Sequence, residues 1–468
     1  METHKQTITC DSRLVSPSDL FVVIPCARNL SNAQDAIKAG ATTIVAVPSL
    51  CDSLAASNPT IRFIKTDNPR LALSLLAGAF YKKQPRILVA VTGTNGKSSV
   101  VNMLRQFWEG AGFSAASLGT LGLASKNLDI SLPSLTTLDP LTLHKTLAEL
   151  YTRDIQHLAL EASSHGLDQY RLHGVTLSAA AFTNLSHDHL DYHGTLDAYF
   201  AAKAKLFTEI LPDGSPVVLN QDSPFYEKLS TLCLGRNHRV ISYSLTRSAF
   251  LQATNIATTE HSISFDLSID GIFYPTQAIP LVGLFQLENV LCAMGLAIAT
   301  GLPVSAILKT LSTLLTVPGR LEYVGSKNNA PVYVDYAHTP DALENVLKSL
   351  RRHTLGKLWV VFGCGGNRDA SKRPKMGAIA AALADMVIVT NDNPRHENAD
   401  DIRDQILKSC PLAKNIENRS DAIHYAITNL AIGDVLLIAG KGHEQGQIIG
   451  DIIHPFDDRV EALKYLCA

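Results

Sequence analysis

The sequence predicts a multidomain α/β protein, and three observations support this fold class. Short runs of apolar residues alternate with stretches of helical length along most of the chain. Many of these runs end in glycine or polar residues, as expected where an open parallel sheet places its ligand-binding loops. The chain has 468 residues, enough for roughly two to four domains with substantial cores.

The N-terminal region, residues 1–86, is predicted to be a small α/β domain. Strand patterns at 20–24 and 42–47 flank a helical stretch that Gly40 closes. A Gln-Pro dipeptide at 84–85 then breaks the pattern just before another apolar run. We therefore expect a domain boundary at residue 86.

Two larger α/β regions follow this boundary. Residues 87–316 are predicted to form a central domain with a mainly parallel, doubly wound sheet, because its strand candidates at 158–162 and 179–183 are mostly apolar. Residues 317–468 are predicted to form a Rossmann-like α/β domain in which helical lengths separate successive strands. Its strands are expected at 332–335, 358–362, 386–390 and 435–439.

The stretch 90–99, with the sequence AVTGTNGKSS, is the strongest indication of a binding site because it joins an apolar strand to a helix-like segment. Gly93 and Gly96 let successive backbone N–H groups point inward, and Lys97 adds a positive charge. The Ser98 hydroxyl can bind magnesium. The pattern predicts a cradle for nucleotide phosphates, a shorter variant of the P-loop, and a plain strand-to-helix turn is the alternative.

Two further segments carry ionisable groups that suit a metal site. EASSH at 161–165 follows a predicted strand, so its acid is expected at the same sheet edge as the glycine loop. SHDHLDYH at 186–193 contains three histidines and two aspartates. Zinc would suit the histidines, but no cysteine or HExxH pattern accompanies them, whereas a P-loop requires a hard cation. Magnesium is therefore the predicted metal, and loop histidines without a metal are the alternative.

Composition and charge argue against several other classes of protein. The formal net charge is −2 and no basic stretch is interleaved with aromatic residues, so nucleic acid is not expected as a partner. The start lacks an apolar signal core and no run approaches the ~20 apolar residues of a membrane span, so we predict a cytoplasmic protein without a membrane partner. Eight cysteines without a CxxC pair indicate reduced thiols.

Eight ordered motifs give the chain a resemblance to the Mur ligases that spans nearly its whole length. They are TGTNGKSS, LEASSHGLDQYR, FTNLSHDHLDYHGTLDAYFAAK, VPGRLE, VDYAHTPDAL, FGCGGNRDASKRPKMG, DNPR and AGKGHE. The resemblance implies three domains that bind, in order, the UDP end of the substrate, ATP and the incoming amino acid. It also implies a monomeric enzyme of peptidoglycan precursor synthesis whose partners are small molecules.

The activity implied by this resemblance is ATP-dependent ligation. ATP would phosphorylate the γ-carboxylate of D-glutamate in UDP-MurNAc-L-Ala-D-Glu, and the amine of a diamino acid would attack the acyl phosphate. Such catalysis depends on positioning and charge neutralisation. In this family the lysine that matches Lys203 is carbamylated, which converts a cation into a carboxylate-like magnesium ligand. Without the resemblance, Lys203 would be interpreted as a solvated helix lysine.

The resemblance assigns roles around ATP and the metal. Catalytic roles fall on Lys97, Glu161, His189 and Lys203, the last as N6-carboxylysine. The magnesium ligands would be Ser98, Glu161, His189 and Lys203. The ATP contacts would be Gly93, Thr94, Asn95, Gly96, Lys97, Ser98, Ser99, Asn289, Arg320 and Asp335. Without the resemblance, Asn289 would be a helix cap, Arg320 a surface ion pair and Asp335 a strand-end turn residue.

The UDP-linked substrate would be held by hydroxyl, amide and guanidinium groups. These residues are Ser12, Thr136, Thr137, Ser163, Gln169 and Arg171. Any of the hydroxyls could instead cap a turn. Departures from the family pattern concentrate in this pocket, where Leu138 replaces the usual proline and CARN at 26–29 replaces a glycine-rich loop.

The resemblance places the amino-acid pocket on loops of the C-terminal region. Its residues would be Arg368, Asp392, Asn393, Pro394, Arg395, Gly440 and Glu444. The Arg395 guanidinium can grip the second carboxylate of meso-diaminopimelate with two parallel hydrogen bonds, whereas lysine would face it with like charge. Glu444 suits the distal ammonium, or else is a loop carboxylate that touches no substrate. We therefore predict that meso-diaminopimelate is the amino acid added.

The sequence leaves three alternatives open. The same reaction could use L-lysine. A sister ligase of the folylpolyglutamate synthetase type shares the central domain and the chemistry, although the DNPR and GKGHE motifs are not expected there. An inactive nucleotide-binding scaffold would keep the P-loop while losing the ligase residues, and the joint presence of Glu161, His189 and Lys203 argues against it.

Overall fold

A computed structural model of the chain describes residues 7–126, 128, 130, 132–133, 135–259 and 261–467. Within these residues, the strands form three larger sheets and a separate two-stranded hairpin. Helices connect most successive strands of the three sheets. This architecture confirms the predicted α/β class.

The first sheet contains four parallel strands among the residues described from position 7 onward. They are β1 (Ile8–Thr9), β2 (Leu20–Val22), β3 (Thr43–Ala46) and β4 (Arg62–Lys65). The helices are α1 (Asn29–Lys38), α2 (Pro48–Ala55) and α3 (Pro69–Tyr81), and a 3-10 turn covers Ser12–Leu14. Helix α3 begins where Asn68 accepts a hydrogen bond from the Leu71 N–H. It contacts the central domain, since Ser74 Oγ accepts a hydrogen bond from the Gly174 N–H at 3.0 Å.

The second sheet is the scaffold of the central domain. Its strands are β5 (Ile87–Thr92), β6 (Ala115–Gly119), β7 (Gly122–Ser125), β8 (His157–Glu161), β9 (Ala179–Phe182), β10 (Pro216–Asn220), β11 (Arg239–Ser244), β12 (Leu251–Thr258), β13 (Ile263–Ile269) and β14 (Ile272–Ile279). Their spatial order is β14-β13-β12-β11-β10-β9-β5-β8-β6-β7. The strands from β12 to β6 in this order run parallel, as the sequence predicts.

Both edges of this sheet depart from the parallel pattern. At one edge β12, β13 and β14 form an antiparallel meander, and at the other β7 pairs antiparallel with β6. Strand β13 alternates buried and half-buried residues, which is typical of an antiparallel strand with one face on a core. The doubly wound pattern predicted for residues 87–316 therefore holds only in the interior of the sheet.

Helices cover both faces of the central sheet. They are α4 (Lys97–Gly110), α5 (Pro140–Thr152), α6 (Ser164–Asp168), α7 (Leu190–His193), α8 (Leu196–Lys205), α9 (Tyr226–Leu234), α10 (Leu284–Ala299) and α11 (Val304–Leu311), and a π-helical turn at Leu206–Ile210 continues α8. Helices α4 and α10 share one core, in which Phe107, Trp108 and Leu291 are completely buried. This packing fixes the start of α4, and with it the glycine loop.

The third sheet organises the C-terminal domain. Its strands are β15 (Glu322–Lys327), β16 (Ala330–Asp335), β17 (Leu358–Phe362), β18 (Met386–Val389), β19 (Lys414–Asn415) and β20 (Val435–Ala439), in the order β15-β16-β20-β17-β18-β19. The hairpin is β21 (Gly446–Ile449) with β22 (Ile452–Pro455). The helices are α12 (Pro340–Arg351), α13 (Lys372–Leu383), α14 (Ala399–Leu407), α15 (Arg419–Thr428) and α16 (Asp458–Leu466). The four strands predicted here are all present, within two residues of their expected ends.

The loop after β5 in the central sheet meets the region after β16 in the C-terminal sheet. Asn95 Nδ2 donates a hydrogen bond to Asp341 Oδ2 at 3.0 Å across this junction. The proposed domain divisions at 86/87 and 316/317 fall between α3 and β5 and between α11 and β15. The carboxyl ends of parallel strands are where such sheets bind ligands, so this junction is the first place to look for a site.

Two predictions about cellular context can be compared with the described part of the chain. The eight cysteines, all of them described, are free thiols as expected. None of the described helices is long and apolar enough to cross a membrane.

Candidate active site between the central and C-terminal domains

The glycine loop between β5 and α4 has the backbone that a phosphate cradle needs. Gly93 and Gly96 have φ angles of 145° and 86°, which favour glycine. A Cβ atom on Gly93 would lie 1.9 Å from Thr183 Oγ1, so a side chain does not fit there. Lys97 Nζ donates hydrogen bonds to Gly93 O at 3.0 Å and Thr94 O at 2.7 Å. Burial lowers the pKa of the Lys97 ammonium.

A cavity of about 160 Å³ lies beside this loop. Ser98, Glu161, His189 and Lys203, the four predicted magnesium ligands, all line it. Glu161 is buried at the end of β8, and its Oε1 accepts hydrogen bonds from Ser98 Oγ and the Thr120 N–H, both at 2.9 Å. Thr120 Oγ1 also donates to Glu161 Oε2 at 3.1 Å. We refer to this space as the reactive cavity.

Lys203 reaches the reactive cavity from α8. Its side chain is completely buried, and its Nζ donates a hydrogen bond to Gly93 O at 2.7 Å. The same nitrogen lies 4.5 Å from the centre of the Tyr199 ring. Burial and the neighbouring Lys97 lower the pKa of Lys203 well below its ordinary value. The solvated helix lysine that the sequence alone suggests is therefore wrong.

His189 stands at the mouth of this cavity with a left-handed backbone, φ 53°. Burial lowers the pKa of His189 to about 4, although Asp188 opposes the shift. The imidazole is therefore neutral near pH 7, the form that binds metals. Among the described residues, no three His, Cys, Asp or Glu side chains are placed to hold a metal ion. The predicted ligand set contains only two such residues, Glu161 and His189.

A second cavity, of about 90 Å³, brings the predicted ATP contacts together. Asn95, Gly96, Ser98 and Ser99 line it from the glycine loop, with Asn289, Arg320 and Asp335 opposite them. Asn289 lies inside α10, where its Nδ2 donates a hydrogen bond to Gln286 Oε1 at 3.2 Å, so it is not a helix cap. A Cβ atom on Gly96 would lie 2.3 Å from Asn289 Oδ1, which explains the glycine. We refer to this space as the nucleotide cavity.

Arg320 and Asp335 join the C-terminal domain to the glycine loop. Arg320 Nη2 donates a hydrogen bond to Ser98 Oγ at 3.3 Å, and the guanidinium lies over the Tyr336 ring, 4.6 Å from its centre. Arg320 is thus half-buried at a domain junction and not in a surface ion pair. Asp335 accepts hydrogen bonds from the N–H groups of Leu321 and Ala337, as a strand-end turn residue would. Burial raises the pKa of Asp335 to about 6.

The residues predicted for the UDP-linked substrate fall into two places. Thr136 and Ser163 line the reactive cavity. Arg171 lies behind them, with Nη1 donating a hydrogen bond to Thr137 O at 2.6 Å and Nη2 donating one to Gln169 Oε1 at 2.8 Å. The hydroxyls also have local roles, because Ser163 caps α6 and Thr137 Oγ1 donates to Glu161 O. Ser12 lies apart, in the 3-10 turn of the N-terminal domain, with no described hydrogen bond to this group.

The predicted amino-acid residues lie on two facing loops, after β18 and after β20. Asn393 Nδ2 donates a hydrogen bond to Glu444 Oε2 at 2.8 Å. Asp392 and Pro394 are buried beside Asn393, and a Cβ atom on Gly440 would lie 2.9 Å from Asp392 Oδ2. These contacts make one continuous surface from the two loops.

Arg395 and Arg368 flank this surface. Arg395 has a left-handed backbone, φ 53°, and its Nη1 donates a hydrogen bond to Gly366 O at 2.8 Å. Burial and the nearby Arg368 lower the pKa of the Arg395 guanidinium. Arg368 itself is exposed. An anion placed here would meet two guanidinium groups.

A larger cleft, of about 1190 Å³, connects these parts of the site. Glu444 of the amino-acid surface and Thr120 of the reactive cavity both line it, as do Ile448 and Ile453 of the β21–β22 hairpin. The predicted amino-acid residues and the reactive cavity therefore open onto one cleft between the central and C-terminal domains.

Sequence reasoning missed Lys441 and Asp341. Lys441 is completely buried and lies between Asn393 and Glu444, although its own motif, AGKGHE, is plain in the sequence. Asp341 is the partner of Asn95 across the domain junction. A lysine between two glycines directly after an apolar strand was the available signal for Lys441. Asp341 lies in the motif VDYAHTPDAL, but nothing in that motif indicates that it pairs with Asn95.

Residues 91–297 match the model of the Mur ligase middle domain, and residues 319–442 match that of the glutamate ligase domain of Mur ligases. A ligase from Agrobacterium fabrum (strain C58), named UDP-N-acetylmuramoyl-L-alanyl-D-glutamate–2,6-diaminopimelate ligase, is 45% identical over 463 residues, covering 96% of this chain and 91% of its own. This chain belongs to the Mur ligase family. The identification confirms the resemblance carried by the eight motifs.

Solved structures agree with this membership of the Mur ligase family. A UDP-N-acetylmuramoyl-L-alanyl-D-glutamate–2,6-diaminopimelate ligase has a TM-score of 0.72 and 31% identity, covering 100% of this chain and 97% of its own. The folylpolyglutamate synthase of Mycobacterium tuberculosis, complexed with ADP and AMPPCP, has a TM-score of 0.65 and 18% identity, covering 79% and 92%. That second likeness shows a shared fold alone.

Proposed function

We propose that this Mur ligase uses ATP to join meso-diaminopimelate to the D-glutamate γ-carboxylate of UDP-MurNAc-L-Ala-D-Glu, in peptidoglycan precursor synthesis. Relatives that match nearly the whole chain are named as ligases for 2,6-diaminopimelate. The observation that carries the proposal is that Glu444 and Thr120 line one cleft, which connects the amino-acid surface to the reactive cavity beside the glycine loop.

The reaction needs two displacements in one place. An oxygen of the γ-carboxylate attacks the γ-phosphorus of ATP, and ADP leaves. The amine of the diamino acid then attacks the acyl carbon, phosphate leaves, the amine loses a proton, and a peptide bond forms. Lys97 and Arg320 would set two cations beside the phosphoryl group, where negative charge accumulates.

ATP would occupy the nucleotide cavity and the glycine loop. The N–H groups of residues 93–99 would bind the phosphates, because they sit at the N-terminus of α4. Asn289 and Asp335 line the cavity opposite the loop and would bind the base and the ribose. Both residues are buried, Asn289 inside α10 and Asp335 at the end of β16, which suits a preorganised site.

Magnesium fits the oxygen-rich side of the reactive cavity. Glu161 is a buried carboxylate next to the Ser98 hydroxyl, and such hard oxygen ligands are those that magnesium prefers. The neutral His189 imidazole would complete this side. Bound there, the ion would neutralise negative charge on the phosphates.

Lys203 would add a second anionic ligand, beside Glu161, as a carbamate. An ammonium would repel magnesium, but the lowered pKa of Lys203 makes the neutral amine accessible. That amine forms an N–C bond with carbon dioxide and releases a proton, leaving a carboxylate-like group with one negative charge. The predicted ligands already include one carboxylate, Glu161, and one imidazole, His189. A carbamate on Lys203 would be the third such ligand beside the Ser98 hydroxyl.

The choice of amino acid would rest on Arg395 and Glu444. The described side-chain hydrogen bonds of Arg395 use Nη1 alone, so the edge formed by Nε and Nη2 can bind a carboxylate. Glu444 Oε1 has no hydrogen bond among the described contacts and can accept one from an ammonium. Meso-diaminopimelate offers both groups, whereas lysine would leave the guanidinium unmatched.

The UDP-linked substrate would enter beside the reactive cavity. Thr136 and Ser163 would contact its muramoyl-dipeptide end because they line that cavity, with Thr137, Gln169 and Arg171 behind them. Ser12 would bind near the uracil end, in the N-terminal domain. We further propose that the protein acts in the cytoplasm as a monomer.

A product assay tests the proposed function. The protein is incubated with Mg²⁺, ATP, UDP-MurNAc-L-Ala-D-Glu and meso-diaminopimelate, and ADP release and product mass are followed together. We expect one ADP per peptide bond, no ADP release without the acceptor, and at most one equivalent of ADP per enzyme when the amine is omitted. ADP release with a folate acceptor would support the sister ligase, product only with L-lysine would correct the amino acid, and nucleotide binding without turnover would indicate an inactive scaffold.

A further inference from the structure

Lys441 is a buried cation at the centre of the amino-acid surface. Its side chain has no exposed area, and its Nζ donates hydrogen bonds to Asn393 Oδ1 at 3.0 Å, Glu444 Oε2 at 3.1 Å and Gly446 O at 2.6 Å. An ammonium has three N–H donors, and these contacts use all of them. Lys441 therefore cannot bind substrate without giving up a partner.

The contact with Lys441 fixes the amide of Asn393. Its Oδ1 accepts hydrogen bonds from Lys441 Nζ and from the Ile448 N–H at 2.9 Å. Both partners are donors only, so a flipped amide would turn its NH₂ group toward two donors. The Asn393 NH₂ group consequently faces Glu444, which it reaches at 2.8 Å.

Glu444 is held from two sides through a single oxygen. Its Oε2 accepts hydrogen bonds from both Asn393 Nδ2 and Lys441 Nζ. The side chain remains 31% exposed on the large cleft, and Oε1 has no partner among the described contacts. The carboxylate is thus anchored at one oxygen and open at the other.

Lys441 also closes the loop that carries Glu444. Its bond to Gly446 O spans the turn between β20 and β21. The start of this turn is held separately, because the buried Arg419, paired with Asp458, donates a hydrogen bond to Ala439 O at 2.9 Å. The turn is therefore held at its start through Ala439 O and across its two ends by the hydrogen bond from Lys441 to Gly446.

We propose that Lys441 is a positioning residue of the amino-acid subsite, which orients Asn393 and Glu444 as one unit before the diamino acid binds. This inference rests on the proposed function and deepens it. A neutral side chain at 441 would free the Asn393 amide to flip and the Glu444 carboxylate to rotate. The affinity for the diamino acid would fall. The affinities for ATP and the UDP-linked substrate would change little, because these bind elsewhere.

The test compares Michaelis constants for the three substrates in Lys441→Met. We expect KM for meso-diaminopimelate to rise about tenfold or more, since hydrogen bonds between charged groups are lost, with KM for ATP changed less than about twofold. Leu430→Ala, which truncates a buried core residue away from the loops, is the control for general destabilisation. It should lower the melting temperature and leave the ratio of the two KM values unchanged.

A double-mutant cycle with Glu444→Gln gives a second readout. If Lys441 acts through Glu444, the double variant should be little worse than Glu444→Gln alone in KM for the diamino acid. Additive effects, or equal changes in all three KM values, would overturn the proposal. Should Lys441→Met fail to fold, Lys441→Gln, which retains N–H donors, replaces it with the same criteria. A wild type that does not ligate meso-diaminopimelate would instead refute the proposed function.

Discussion

Lys203 and Lys441 are both completely buried, yet their surroundings differ in kind. Lys441 donates to a carboxylate, an amide oxygen and a carbonyl. Lys203 donates to one carbonyl, lies over an aromatic ring and is close enough to Lys97 for that cation to lower its pKa. In the described part of the chain, the side-chain hydrogen bond of Lys203 goes to a carbonyl oxygen and no ion pair joins it to a carboxylate.

The contrast shows how the partners of a buried lysine determine its role. Burying an ammonium costs several kcal/mol unless a counter-charge and hydrogen bonds compensate it. Glu444 supplies the counter-charge for Lys441, so that residue can remain charged and hold other side chains in place. Lys203 has no ion pair among the described contacts, and burial together with Lys97 lowers its pKa well below the ordinary value, against the opposing effect of Asp188. A neutral amine is a nucleophile, and this is the form from which a carbamate arises.

Replacing Lys203 should have the largest effect. Lys203→Ala removes the proposed carbamate and with it a magnesium ligand, so kcat should fall by about 10³-fold or more while ATP binding remains. Added short-chain carboxylates should restore part of the activity, as measured by phosphate release. Lys205→Ala is the matched control, since Lys205 lies on the same helix and pairs with Asp168 at 3.1 Å. Equal losses in both variants would contradict the proposed role.

Lys97 is a half-buried lysine of the same site, and its described side-chain hydrogen bonds go only to carbonyl oxygens. Lys97→Ala should lower kcat by about 10²–10³-fold, because a positive charge next to the phosphates is lost. The melting temperature should change little, since desolvation already disfavours this ammonium. Steady-state kinetics and thermal melts check both expectations, with the exposed Lys145→Ala as the control. A drop of several degrees with unchanged ATP affinity would show a structural role instead.

Arg395 extends the comparison of charged side chains to one that is proposed to contact the substrate directly. The Nε and Nη2 edge of its guanidinium has no described hydrogen bond. Arg395→Ala should reduce kcat/KM for meso-diaminopimelate by about 10²-fold, the effect of losing a charged, bidentate hydrogen-bonded contact. Arg395→Lys retains the charge but not the planar fork, and should lose at least about tenfold. Measuring kcat/KM for meso-diaminopimelate and for lysine in each variant tests whether Arg395 selects the amino acid. A wild type that prefers lysine, or an Ala variant unchanged toward meso-diaminopimelate, would refute the assignment.

Glu288 tests the same effect of burial on a carboxyl group, where the expected change is smaller. Burial raises the pKa of Glu288 to about 7 from an ordinary 4.5, so the folded state binds more protons than the unfolded state between these values. Its contribution to stability is complete below pH 4.5 and is lost as pH rises through about 7. Glu288→Gln stays neutral, so its melting temperature relative to wild type should increase by about 2–4 °C between pH 5 and pH 8. Glu227→Gln, at an exposed carboxylate, should show no such trend, and a constant difference for Glu288→Gln would contradict the shift.

Local signals in the sequence account for much of the fold and for the phosphate site. One short segment contains the apolar strand, Gly93, Gly96 and the Ser98 hydroxyl. The structure places this segment as a strand, a turn and the start of a helix. The C-terminal strands were predicted for the same reason, since each is a continuous apolar run between helical lengths. Such features need no knowledge of distant residues.

Features that depend on distant partners could not be predicted. Asn393 and Lys441 are 48 residues apart and meet only because β18 and β20 end at the same edge of the sheet. Asn289 was ambiguous because its partner, the glycine loop, lies on another element. The antiparallel meander of β12–β14 is different, because the alternation in Ile263–Ile269 is a local pattern that is typical of an antiparallel strand.

The contrast between the two buried lysines is tested most directly by ¹³C NMR of the protein in ¹³C-bicarbonate. The account predicts one carbamate carbon resonance in the wild type, its loss in Lys203→Ala and its retention in Lys441→Met. A wild type without a carbamate resonance, or a resonance that survives Lys203→Ala, would contradict the account.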